Sequence, residues 1–216
     1  ALRQAENLDH ANMNRLLARV EACARDASAH CAIANAHYRR GEYARVARRI
    51  VEGLASATAD AESRVNLISL LANVLIDMNL PQAASAALAA EKELELQDAA
   101  LDRMYRFQWL DRLSRNAFRA GRIAEAREAM EAKRQEALAG AADPAAHAPG
   151  AIFAYDDTRE LAWLLYFRSW EDWGAGRVST EGSRLAREVI TLIGARGPAD
   201  LAKGNDPIGY LLRSLA

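Results

Sequence analysis

The sequence predicts an all-α protein built from stacked helix pairs, and three observations carry that prediction. The first is a helix–turn–helix pattern that recurs in register. Ile33 and Ala34 precede Gly41, Tyr43, Val46 and Ile50. Leu71 and Ala72 precede Asn79, Pro81, Ala84 and Leu88. Leu113 and Ser114 precede Gly121, Ile123, Ala126 and Met130. The copies are offset by 38 and then 42 residues, and a period in that range marks helical-repeat architectures. The second observation is that apolar residues recur at helical spacing, with no strand-like alternation of useful length. The third is an abundance of alanine, the best helix former, whose small side chain lets helices approach closely.

Each element follows from local signals. Residues 5–25 read as an N-terminal helix with Leu8, Met13, Leu16, Leu17 and Val20 on one stripe. It resembles the second half of a pair, which suggests either a cap or a segment of a longer protein. The first full pair covers 28–40 and 43–57, with Gly41 as its left-handed turn residue. Asp60 or Ser63 caps a helix over 62–78. Asn79 takes the place of Gly41, since Asn also tolerates left-handed geometry, and Pro81 enters the first turn of the helix that runs to about 97. The third pair covers 99–119 and 123–138 around Gly121. Two prolines and two glycines in GAADPAAHAPGA mark 139–157 as a loop. Asp157 and Glu160 have capping-box spacing for a fourth pair over 158–196. Residues 197–216 form a C-terminal cap. The expectation is one domain over 1–216, with repeats in 28–138.

Composition narrows the function classes. The chain has 216 residues and a net charge of −1, with 51% hydrophobic and 26% charged residues. Such a chain can bury a full core. Near-neutral charge gives no bulk field toward nucleic acid or membrane, and Arg39-Arg40 and Arg48-Arg49 are balanced by acids. No apolar run approaches the roughly 18–20 residues of a membrane span. Cys23 and Cys31 read as half-buried thiols in a reducing compartment, with a disulfide as the alternative in an exported form. A cytoplasmic protein is expected, with an exported form left open.

The pattern Gly41-Glu42-Tyr43, Val46, Ile50 and Leu54, with Ile33, Ala34 and Tyr38 upstream, resembles the tetratricopeptide-repeat family. Residues 28–138 carry the resemblance well and 158–196 loosely. The repeats are longer than the family's usual length, which suits the divergent repeats of bacterial regulatory and signalling proteins. The resemblance implies a right-handed α-α superhelix of about four helix pairs with terminal capping helices. It also implies that the first helix of each pair lines a concave groove. The groove positions would be Cys31, Asn35 and Arg39, then Ser69, Asn73 and Asp77, then Asp111, Arg115 and Arg119. Asn35 and Asn73 are equivalent, and stacked asparagines of this kind hold a peptide backbone in the family. An Asn amide donates and accepts at once, so it suits an extended chain. Arg112, Arg115 and Arg119 add donors for a carboxylate.

Half of the aromatic residues cluster late in the chain. Trp163, Tyr166, Phe167, Trp170 and Trp173 fall on one helix face. This stripe is either a core surface or a partner interface, with Trp163, Tyr166, Trp170 and Trp173 as its residues.

Motifs for chemistry are missing. The sequence has no Gly-Lys-Ser/Thr phosphate loop, no His-Glu-x-x-His metal helix and no Gly-x-Ser-x-Gly elbow. The expectation is a non-enzymatic scaffold without cofactor or metal that binds a peptide segment or partner protein. The alternative is a sensory or regulatory module of a larger signalling or transcription-activator protein, binding a short peptide or small ligand.

Overall fold

The computed structural model describes residues 10–142 and 157–194, and every regular element among them is α-helical. The helices are α1 His10–Cys23, α2 Ala27–Arg39, α3 Tyr43–Leu54, α4 Ala61–Asp77, α5 Pro81–Leu96, α6 Ala99–Arg119, α7 Ile123–Ala142, α8 Asp157–Gly174 and α9 Thr180–Gly194. The chain divides into two compact units, Ala1–Asp102 and Arg103–Ala216, whose boundary falls inside α6. Helix α7 runs to Ala142, past the predicted end at 138. Most of the predicted loop, and the C-terminal cap, lie outside the described residues.

The turns show why these helices stop where they do. At the end of α2, Gly41 N–H donates to Tyr38 O (2.9 Å) and Glu42 N–H to His37 O (3.0 Å). The same pair of bonds closes α4, where Asn79 N–H donates to Ile76 O and Leu80 N–H to Leu75 O. It closes α6 at Gly121 and Arg122, and α8 at Gly176 and Arg177. All four are Schellman caps, which need a left-handed residue at the turn. That residue is Gly41, Asn79, Gly121 or Gly176, with φ of 70°, 57°, 75° and 64°. In the first three copies the next helix begins two residues later, at Tyr43, Pro81 and Ile123. The fourth copy runs two residues longer before α9. At the N-termini, Asp26 accepts from Ala29 N–H (2.7 Å) and Asp60 from Ser63 N–H (2.8 Å).

In unit 1 the matched repeat positions Ala34, Val46, Ala72 and Ala84 are fully buried. Helix α4 lies at its centre, against α2 and α3 and against α5. Val65, Leu67, Leu70, Ala72, Val74 and Ile76 bury more than one of its faces. Each large apolar side chain removed from water stabilises the unit by about 1.5–3 kcal/mol. Close packing of α3 rests on Gly53, where a Cβ would stand 2.8 Å from Leu67 Cδ1 and 3.0 Å from His30 Cβ. Helix α1 joins through Leu17, which packs with Ala24 and Ile33.

Unit 2 packs Ala117, Ala126, Met130, Leu161, Leu164, Phe167, Leu185 and Val189 into one core. Buried Ser114 donates through Oγ to Ala126 O (2.8 Å), tying α6 to α7. Lys133 is buried and bridges Asp111 (2.7 Å) on α6 and Glu160 (2.9 Å) on α8, with its ammonium 4.7 Å from the Phe107 ring centroid. Two carboxylates and a ring face replace the water this ammonium loses. Glu160, expected as part of a capping box, is one of these two carboxylates.

Candidate functional site

Helices α2 and α4 are the first helices of the first two pairs, and they pack side by side. Between them they carry the predicted groove residues of unit 1. Asn35 and Arg39 are exposed on α2; on α4 Asn73 is half-buried and Asp77 exposed. Tyr38 Oη donates to Asp77 Oδ2 at 2.5 Å, so Asp77 ties the two helices together. Asn35 Nδ2 donates to Cys31 O (3.1 Å) and contacts Cys31 Sγ (3.6 Å), one turn back along α2. Burial pushes the Cys31 thiol up, against the opposing Asn35 hydrogen bond, so it stays a protonated and poor nucleophile. Cys23 is exposed rather than half-buried, and both cysteines are free.

Other predicted groove positions fall elsewhere. Ser69 is 7% exposed and donates to Glu91 Oε1 (2.6 Å) on α5, inside the core of unit 1. Arg112 is 4% exposed, which removes its guanidinium from any open surface of unit 2. Arg115 is half-buried and bonded to Asp111 (3.1 Å), while Arg119 is exposed at the end of α6.

The aromatic stripe of α8 grades from core to solvent. Trp163 and Tyr166 are half-buried and pack against the unit 2 core. Trp163 stacks on Phe167 at 5.7 Å, and Tyr166 meets Phe118 at 5.4 Å. Trp170 is 43% exposed and Trp173 76%. These two rings meet edge to face at 5.5 Å. The stripe thus divides between the two sequence readings, packed in its first half and open in its second.

A further site escaped the sequence reading. An open cleft of about 460 Å³ lies beside α1 and α3, lined by Arg40, Arg45, Arg48, Arg49, Glu21 and Glu42 among others. Beneath it His37 is fully buried. Its Nδ1 lies 2.6 Å from Glu42 Oε2 and its Nε2 lies 2.6 Å from Glu21 Oε1. Glu42 also holds Arg40 (2.9 Å) and Arg45 (3.4 Å), and Glu21 faces Arg49 (3.5 Å). Burial works to raise the Glu21 carboxyl, but His37 and Arg49 outweigh it and hold the group below its ordinary value. Arg49 also pairs with Glu52 (2.8 Å). The signal that could have found this cleft is the basic face of α3, where Arg45, Arg48 and Arg49 recur at i, i+3 and i+4 opposite the buried Val46 and Ile50.

Among the described residues no group of three His, Cys, Asp or Glu side chains is arranged to hold a metal ion, and no helix is long and apolar enough to cross a membrane. No known protein family, curated protein or solved structure matches this chain.

Proposed function

We propose that the chain is a non-enzymatic, tetratricopeptide-like repeat scaffold that holds an extended peptide segment of a partner protein. The observation that carries this reading is the recurrence of one turn. Three Schellman caps at Gly41, Asn79 and Gly121 share their bonding and their distance to the next helix. Matched buried positions flank each of them. Repeats of this kind present equivalent faces and serve as binding surfaces. In unit 1 the equivalent faces of α2 and α4 offer Asn35, Arg39 and Asn73 to a backbone.

Selection from a displayed random-peptide library tests it. Wild-type chain is expected to enrich a family of peptides, and Asn35→Ala with Asn73→Ala to lose them while keeping its helical circular dichroism. Peptides that bind both proteins equally would refute the α2–α4 face. A second reading, a sensory or regulatory module of a larger protein, is favoured by one observation, the arginine cleft beside α1.

A further inference from the structure

We propose that the cleft between α1 and α3 binds a phosphate group, free or carried by a small molecule. The inference does not depend on the α2–α4 face or its peptide. It starts from a surplus of donors. Four guanidinium groups border one cleft, and a guanidinium is the side chain best matched to a tetrahedral oxyanion, through two parallel N–H bonds. The carboxylates present are already committed. Glu42 Oε1 takes Arg40, its Oε2 takes His37 and Arg45, and Glu21 Oε1 takes His37 and Arg49. Arg48 makes no ion pair among the described residues and is exposed at the same cleft. Arg45 and Arg40 each engage through a single terminal nitrogen, leaving further N–H donors on each.

The charge balance agrees. Arg40, Arg45, Arg48 and Arg49 face Glu21, Glu42 and Glu52. Four positive groups against three negative ones leave a local surplus of about one positive charge, and the carboxylate oxygens engaged by His37 leave further guanidinium donors for an anion. Two features make the site more than a basic patch. Arg40 and Arg49 are held in place by their glutamates, so less side-chain freedom is lost on binding. The cleft's 460 Å³ suits a small molecule. A nucleic-acid strand is disfavoured by the chain's net charge of −1.

Isothermal calorimetry on the full chain at low chloride tests this, with inorganic phosphate and a hexose 6-phosphate as probes. Saturable one-site binding is expected with a dissociation constant in the millimolar range or below. Arg48→Gln is expected to weaken it about tenfold, the loss of one charge-assisted contact. Arg45→Gln with Arg48→Gln should weaken it further, and Arg122→Gln in unit 2 should leave it unchanged. A sugar phosphate bound more tightly than phosphate identifies the phosphoryl group of a metabolite, and equal affinity identifies the free ion. No saturable binding of either probe up to about 10 mM, or affinity unchanged in Arg48→Gln, overturns the proposal. Arg48 holds no ion pair among the described residues, so this variant keeps the fold. Peptide selection by the α2–α4 face would survive that failure, which separates the two proposals.

Discussion

Replacing Gly121 by alanine tests the turn logic on which the repeat rests. Gly121 has φ +75°, and a Cβ built there meets nothing within 4 Å. Sterics with the rest of the protein therefore contribute nothing, and the cost is that of the left-handed backbone alone. That cost is about 1–2 kcal/mol for an L-residue. Alanine also narrows the unfolded ensemble, which returns about 0.4–1 kcal/mol. The net loss is roughly 1 kcal/mol. All four tryptophans, Trp109, Trp163, Trp170 and Trp173, lie in unit 2, so their fluorescence follows the unit that holds Gly121. With a urea slope of about 1–1.5 kcal/mol/M, the fluorescence midpoint should fall by roughly 0.7–1 M. Asn79→Gly is the companion in unit 1. It relieves φ +57° but loosens the unfolded chain, so the change should stay within about 0.5 kcal/mol by circular dichroism. A Gly121→Ala midpoint at or above that of wild type would refute the left-handed assignment and, with it, the equivalence of the turns.

Two other outcomes are expected. Trp170→Ala should cost about 2 kcal/mol in urea denaturation, roughly half the 3–5 kcal/mol of a fully buried ring, because the indole is 43% exposed. Trp173→Ala should cost less than about 1 kcal/mol, the worth of its one edge contact with Trp170; equal losses at the two positions would contradict the graded burial of the stripe. Stability of unit 2 should also fall in acid. Burial works to raise the Asp172 carboxyl, but the Ser179 N–H and hydroxyl, Arg168 and Arg177 outweigh it and hold the group below its ordinary value. A carboxylate depressed in the folded state contributes fully above its unfolded value near 4, and the contribution is lost as pH falls through the folded value. Fluorescence midpoints measured from neutral pH downward should hold steady and then drop below about pH 4. Asp172→Asn should flatten that drop, and an unchanged slope would remove Asp172 from the cause.

Helix ends were the most legible part of the fold. Gly41, Asn79, Gly121 and Pro81 act through their own backbones, so their meaning does not depend on which neighbour packs where. The predicted helices 28–40, 62–78 and 99–119 accordingly stand within a residue of α2, α4 and α6. Side-chain exposure was less legible. Helix α4 is covered by α2 and α3 and also by α5, so no single polar stripe survives along it. Ser69 lies on the predicted groove face with Asn73, yet it meets Glu91 in the core. Nothing within α4 distinguishes the two positions. The difference comes from α5, which brings Glu91 to Ser69. Arg112 repeats the point in unit 2, a charged residue expected in the groove that packing buries.

The arginine cleft shows the same limit in electrostatics. Counted along the chain, Arg40, Arg45, Arg48 and Arg49 are cancelled by neighbouring acids. In the folded unit, charge cancels by contact instead of by sequence distance. Glu21 arrives from α1 and turns one oxygen toward His37, which it shares with Glu42. A buried imidazole with a carboxylate on each nitrogen engages oxygens that the arginines would otherwise use. Removing that imidazole should tie up more of the cleft's guanidinium donors. In His37→Leu the two carboxylates lose their imidazole partner and turn fully to the guanidinium groups. Phosphate binding should then weaken although no cleft-lining arginine has changed. The calorimetric titration that reads Arg48→Gln reads this variant as well. Affinity retained in a folded His37→Leu protein would mean that the arginines alone set the charge of the cleft.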